Sequence, residues 1–118
     1  ESMAESLLAK AEDVSGLKLI VHQAQEGEDV LSLITTLISR PGVIAVVGAA
    51  EPSVKLIVGR SQDVSMDARP VLKEIMKQVG GGGGGKPDLA QGGGGDPSKV
   101  PQALAAASGI VRAAAASQ

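Results

Sequence analysis

The sequence predicts an α+β domain: a small mixed β-sheet with helices packed on it, preceded by an amino-terminal helix. Three observations carry that reading. Val43-Ile44-Ala45-Val46-Val47-Gly48 is a continuous apolar run of strand length, which implies a strand covered on both faces. Val30, Leu31, Ile34, Leu37 and Ile38 recur at helical spacing between that run and an earlier branched segment. Val71, Leu72, Ile75, Met76 and Val79 form a second helical stripe, with Lys73, Glu74 and Lys77 facing outward.

Taken in order, residues 1–15 read as a helix, since Met3, Leu7, Leu8, Ala11 and Val14 share a face. Gly16 supplies its stop, because glycine takes the left-handed conformation that ends helices. Leu17-Lys18-Leu19-Ile20-Val21-His22 is rich in branched residues and reads as the first strand. Glu26 to Asp29 place negative charge at the start of the next helix, where its dipole favours it, and Pro41-Gly42 ends that helix after Arg40. A strand, a helix and a strand in succession form a parallel crossover. After the short turn Ala49–Pro52, residues 53–60 read as a third strand, making a hairpin with the second. Asp67 is placed to cap the helix over 68–79. Asp96-Pro97-Ser98 then opens a last helix striped by Val100, Ala103, Leu104, Ala107, Ile110 and Val111. Residues 1–16 thus form a helical linker or subdomain. Residues 17–118 form the globular part, with a glycine-rich loop over 80–95 and a carboxyl-terminal helix.

Composition removes whole classes of function. The 118 residues include no Cys, Phe, Trp or Tyr. That excludes a disulfide framework, a thiol nucleophile, thiolate metal sites and an aromatic platform for stacking bases. The single histidine, His22, excludes a multi-histidine metal site. In a strand it reads as a core or edge histidine sooner than as a lone catalytic base. No catalytic residue, metal ligand or cofactor is expected in this chain. No apolar run approaches the roughly 18 residues of a membrane helix. The start, Glu1-Ser2-Met3-Ala4-Glu5, lacks a signal-peptide pattern, so a cytoplasmic or organellar-matrix location is expected.

Charge is uneven along the chain. Residues 1–29 carry seven acids against Lys10 and Lys18, a balance of −5; the remainder carries nine bases against six acids, a balance of +3, giving the net −2. The carboxyl part is compatible with a phosphate-bearing partner, yet far below a strong nucleic-acid footprint.

The glycine segment is the most informative feature. Gly80–Gly85 and Gly92–Gly95 supply ten glycines in sixteen residues, around Lys86-Pro87-Asp88-Leu89-Ala90-Gln91. One reading is a flexible linker to a docked terminal helix. The other is a loop whose bare backbone approaches a ligand, with successive N–H groups forming an anion site beside Lys86. A P-loop is excluded, because Pro87 stands where Ser or Thr would hold magnesium. Asp63, Asp67 and Asp88 offer a carboxylate cluster, though Asp67 and Asp88 read sooner as caps or turn braces, and Met3, Met66 and Met76 read as filler. Arg60 and Arg69 flank the loop after the third strand, for ion pairing or for facing the glycine loop.

The run Gly84-Gly85-Lys86-Pro87-Asp88-Leu89-Ala90-Gln91-Gly92-Gly93 resembles the signature of the DHHA1 domain family. Its continuation, Asp96 followed by Pro101-Gln102-Ala103-Leu104 and a short last helix, looks like the carboxyl-terminal C-Ala domain of the alanyl-tRNA synthetase family. The similarity covers roughly residues 17–118, making that region DHHA1-like. Lys86 stands where many members carry Arg, Leu89 where they carry Met or Phe, and Gly92 where they carry Ala.

The resemblance implies a non-catalytic appended domain of a ligase that contacts the elbow of the alanine tRNA and supports aminoacylation and editing. Gly84, Gly85, Lys86, Asp88, Gln91 and Gly93, with Arg69 and Lys99 beside them, are then the expected RNA-binding residues. The other implied partners are the synthetase's upstream domains, which hold its catalytic centres, and in some members a second copy. Shape and phosphate contacts suit a folded RNA surface without aromatic stacking. The alternative is a structural or dimerisation module without RNA binding of its own. A more remote one is the substrate-binding half of a phosphoesterase, which needs a metal-binding domain upstream.

Overall fold

The computed structural model describes residues 3–51 and 53–116. Glu1 and Ser2 of the expected first helix, Pro52 of the expected turn, and the last two residues lie outside the described residues. The elements run α1 (Met3–Ala9), β1 (Glu12–Val14), β2 (Leu17–Gln23), α2 (Val30–Ile38), β3 (Val43–Ala49), β4 (Lys55–Arg60), α3 (Ala68–Val79), β5 (Gly82–Lys86), β6 (Leu89–Gly93), a 3₁₀ turn (Pro97–Lys99) and α4 (Val100–Ala116).

Among the described residues the strands form one six-stranded sheet in the order β1-β2-β3-β4-β6-β5. β2 and β3 are parallel, with Ile20 opposite Ala45, as a crossover through α2 requires. The neighbouring pair β3 and β4 is antiparallel, with Val46 opposite Val58. The mixed α+β architecture read from the sequence is therefore the observed one.

The sheet separates two apolar layers, as the period-two alternation of strands demands. Leu19, Ile44, Val46, Leu56, Val58 and Ala90 face α3 and α4. Ile20, Val43, Ala45, Val47 and Ile57 face α1 and α2. Every residue of β3 is buried, which explains its unbroken apolar sequence. α1 docks through Ala4, and Arg40 after α2 forms an ion pair with Glu5.

Two segments depart from the expected secondary structure. Residues 12–14 are an edge strand and do not continue the first helix. Ser15 at φ 53° and Gly16 at φ 86° make the two-residue turn that joins β1 to β2. Positive φ at both positions matches the right-handed twist of paired strands. Gly16 is thus a hairpin residue, and Asp13 Oδ1 accepts its N–H at 3.0 Å. Val14 looked helical only because its spacing from Leu7 and Ala11 coincides with its inward position in β1, where it is 2% exposed.

The larger departure is the segment 80–95. It is an ordered β-hairpin and not a loop: β5 pairs with β6, and β6 pairs with β4. Glycine disfavours strands through entropy and lack of side-chain packing. Here that preference is overridden by the ladder to β4, where Ala90 lies opposite Val58 and is fully buried.

Candidate functional site

The β5–β6 hairpin turns through Pro87 and Asp88, with Lys86 opposite Leu89, Gly84 opposite Gln91, and Gly82 opposite Gly93. Proline presets its own φ for the first turn position. Three contacts fix the tip. The Asp88 carbonyl accepts from Arg60 N–H at 3.0 Å, and the Pro87 carbonyl accepts from Ala68 N–H at 2.7 Å. The Asp88 carboxylate accepts from Gln62 Nε2 at 2.9 Å. The tip is therefore joined to the end of β4 and to the start of α3. At the base, Gly80 ends α3 in the left-handed conformation (φ 85°), and Asp96 N–H donates to the Val79 carbonyl at 2.8 Å.

The glycines of the hairpin fall into two sets. On the α3 side there is no room for a side chain. A Cβ on Gly92 would meet Met76 Cγ and Sδ at 3.1 Å, and one on Gly81 would meet Met76 Cε at 2.7 Å. A Cβ on Gly85 would lie 2.7 Å from the Cα of Ala90, and one on Gly83 would lie 2.4 Å from the Gln91 carbonyl oxygen. On the other side, Cβ atoms at Gly82 and Gly84 would meet nothing within 4 Å. Gly93, on the same side as Gly82 and Gly84, is the exception, since its Cβ would fall 2.9 Å from the Val54 carbonyl oxygen. Packing therefore dictates glycine at the first set and at Gly93, and leaves Gly82 and Gly84 sterically free.

The expected site residues divide accordingly. The hairpin brings Gly84, Gly85, Lys86, Asp88, Gln91 and Gly93 together. Gly84, Lys86, Gln91 and Gly93 share the open face, because cross-strand partners and residues two apart point the same way. All four are exposed. Gly85 points to the α3 side, and Asp88 braces the tip through Gln62.

Arg69 follows Ala68, whose N–H holds the tip, but its side chain is engaged elsewhere. Its Nε and Nη2 donate to the Asp67 carboxylate at 3.0 and 2.7 Å, while Asp67 accepts Arg69 N–H as the cap of α3. These contacts hold the Asp67 carboxyl down at about 2 and raise the guanidinium in turn. Lys99 lies in the 3₁₀ turn beyond the base, on the side where that turn meets α3 and α4. The structure thus does not gather Arg69 and Lys99 onto the open face with Lys86.

Other polar groups have structural roles. Arg60 donates from Nε to the Met66 carbonyl at 2.7 Å and from Nη1 to the Ser61 carbonyl at 3.2 Å, clasping the loop between β4 and α3. His22 Nε2 stands 3.3 Å from Glu28 Oε1, both side chains being about one-fifth exposed. The Gln25 N–H, then the His22 ring, hold the Glu28 carboxyl below the usual range. Among the described residues no three His, Asp or Glu side chains converge as a metal-binding group. Among the same residues no helix is long and apolar enough to cross a membrane.

One cation on the open face escapes sequence reasoning. Lys55 opens β4 opposite Gly93, so it stands on the same side as Gln91 and Gly93. Its outward position in β4 is legible from alternation. Its proximity to the glycine segment is not, until that segment is known to be a strand.

Three comparisons with known proteins agree. The family model of the DHHA1 domain matches residues 13–113. The chain is 37% identical over 111 residues to an alanine–tRNA ligase of Cupriavidus necator, an alignment that covers 88% of this chain and 13% of that protein. It therefore spans a small part of that relative's length. The crystal structure of the C-Ala domain from Aquifex aeolicus alanyl-tRNA synthetase matches with a TM-score of 0.74 and 30% identity, covering 86% of this chain and 97% of that one.

Proposed function

The chain belongs to the DHHA1 domain family, in the C-Ala form of alanyl-tRNA synthetases, and from that premise we propose that it is a non-catalytic tRNA-binding module. Its partner is the elbow of the alanine tRNA, and its role is to hold one tRNA for the aminoacylation and editing centres in the upstream domains of the same synthetase. It works where those domains work, in the cytoplasm or an organellar matrix.

The observation that carries this reading is the ordered β5–β6 hairpin with Lys86 at its end. Glycines on an exposed face let a bulky, folded partner reach the main chain. Lys86 is exposed and, among the described residues, has neither a side-chain hydrogen bond nor an ion pair, so its charge is available to a phosphate. Lysine acts there as a point charge, without the two-pronged grip of arginine. A few such contacts yield weak, salt-sensitive affinity, which suffices when other domains also hold the RNA. Chemistry is supplied elsewhere: this chain has no cysteine and one histidine, and that histidine is paired with Glu28.

The test is a titration of the domain with an alanine tRNA transcript at several salt concentrations. Binding should weaken as salt rises. Lys86→Ala should lower affinity about 3- to 10-fold and reduce the salt slope by about 1, the signature of one lost phosphate contact. Unchanged affinity removes Lys86 from the site.

A second reading, a dimerisation module, is favoured by one feature. Among the described residues β5 is the last strand of the sheet, an exposed edge of glycines with no proline inside it, whereas the opposite edge β1 is short and carries Glu12 and Asp13. Unprotected edges pair with other strands. Sedimentation at micromolar concentration separates the readings, a monomer ruling out this one.

A further inference from the structure

We infer that the RNA-facing surface of this domain is the open side of the β4–β6–β5 end of the sheet, completed by Lys55, and that Gly82 and Gly84 are bare for the ligand's sake and not for the fold's. The inference rests on the tRNA-binding reading and assigns that site a face and a second cation.

The helices leave this face open. α2 packs on β3 and β4, and its cover reaches Gly59, where an added Cβ would stand 3.3 Å from Ile34 and Ile38. Leu89 is the last side chain to join that layer. Beyond it Gln91, Gly93, Gly82 and Gly84 are exposed, with Lys55 and Lys86 at opposite corners. Two strand spacings of about 4.8 Å and four residues of about 3.4 Å put those corners about 17 Å apart. Between them the face carries one amide and no carboxylate.

Sterics make the sharper argument. Six glycines of the segment 80–95 (Gly81, Gly83, Gly85, Gly92, Gly93 and Gly95) would meet backbone atoms if given a Cβ, so the fold requires them. Gly82 and Gly84 meet nothing, and neither has positive φ. A strand position with free space and ordinary backbone gains from a β-branched side chain, through lower unfolded-state entropy and better strand propensity. Two such positions left bare, on one face and between two lysines, fit a partner that lies flat on the main chain. Its chemistry is set by the charge: a polyanion contacted through its backbone, here the sugar-phosphate chain of RNA. Lys55 also borders a crevice lined by Glu28 and Glu51. Glu28 already accepts from Gln25 N–H and faces His22, and Lys55 forms no ion pair among the described residues.

The experiment compares four proteins binding an alanine tRNA transcript: the wild type, Gly84→Val, Lys55→Gln and Lys73→Gln. Lys73 sits on the outer face of α3 and serves as a charge control. Gly84→Val should fold with a melting temperature equal to or above that of the wild type and bind at least about 10-fold more weakly. Lys55→Gln should bind about 3- to 10-fold more weakly, with the salt slope reduced by about 1, and Lys73→Gln should match the wild type. If the wild type binds and both Gly84→Val and Lys55→Gln bind equally well, the face is wrong while the tRNA reading stands. If Lys73→Gln weakens binding as much as Lys55→Gln, the charge effect is non-specific and the assignment of Lys55 falls. If Gly84→Val fails to fold, the fold needs that glycine and the inference falls with its premise. If the wild type does not bind, both readings fail.

Discussion

Gly83 faces Gly92 across the β5–β6 ladder so closely that a Cβ on Gly83 would stand 2.3 Å from the Cα of Gly92. Neither residue could carry a side chain without prising the hairpin apart, since Gly92 is itself pressed against Met76 and the Gly82 carbonyl. The alternation of required and free glycines along β5 follows from this approach. One side of the strand is closed by α3 and by the partner backbone, and the other is open.

Gly83→Ala should therefore destabilise the domain by about 1–3 kcal/mol, the usual cost of overpacking a close contact. Gly82→Ala, one residue away on the open side, should change stability by less than about 0.5 kcal/mol. Chemical denaturation of both variants checks the contrast. Equal effects would mean that the two sides of β5 are not sterically distinct.

How much of this was legible in the sequence depends on what side chains report. β3 announced itself because all of its residues are apolar and buried, and α3 because Val71, Leu72, Ile75, Met76 and Val79 mark one face. The hairpin was hidden because glycine has no side chain with which to mark a period. Only Leu89 and Ala90 give an apolar signal, and two residues define no alternation. β1 was hidden by brevity. The candidate site was legible as a segment, through Lys86 and its glycines, but its face was not. Lys55 joins it through the pairing of β4 with β6, which lies more than thirty residues downstream.

Ser61 is the one buried polar side chain among the described residues, 2% exposed. Its Oγ accepts the Val43 N–H at 2.9 Å and donates to the Arg40 carbonyl, joining the end of α2 to the start of β3. Ser61→Ala leaves a buried N–H without a side-chain acceptor, which costs about 1–3 kcal/mol. Denaturant unfolding should show that loss with an unchanged m-value. A neutral result would mean that the Val43 N–H finds another acceptor.

Ser108 Oγ donates to the Glu12 carboxylate at 3.0 Å, and Arg112 donates to the same group. These contacts tie α4 to the edge strand β1 and, with Arg112 contributing most, hold the Glu12 carboxyl below its ordinary value. They are exposed, so their removal should act locally. Glu12→Gln should speed hydrogen exchange at β1 and the β1–β2 turn while leaving β3 and β4 protected. Uniform acceleration through the sheet would show that this edge is part of the global folding unit.

Asp67 sets an acid limit whose sign is defined. Its carboxyl falls to about 2 in the folded chain, chiefly through the Arg69 guanidinium and then the Arg69 N–H. In the unfolded chain it returns to about 3.9. A group with a depressed folded pKa binds fewer protons when native, so its stabilising contribution is present above the unfolded value. That contribution is lost as pH falls from about 4 to about 2. Asp67→Asn retains a good helix cap but removes the charge. Melting temperature should therefore fall less steeply between pH 4 and 2 in Asp67→Asn than in the wild type, with the two curves converging at the acid end. Parallel curves across that window would mean that the Arg69 contact contributes nothing to folding.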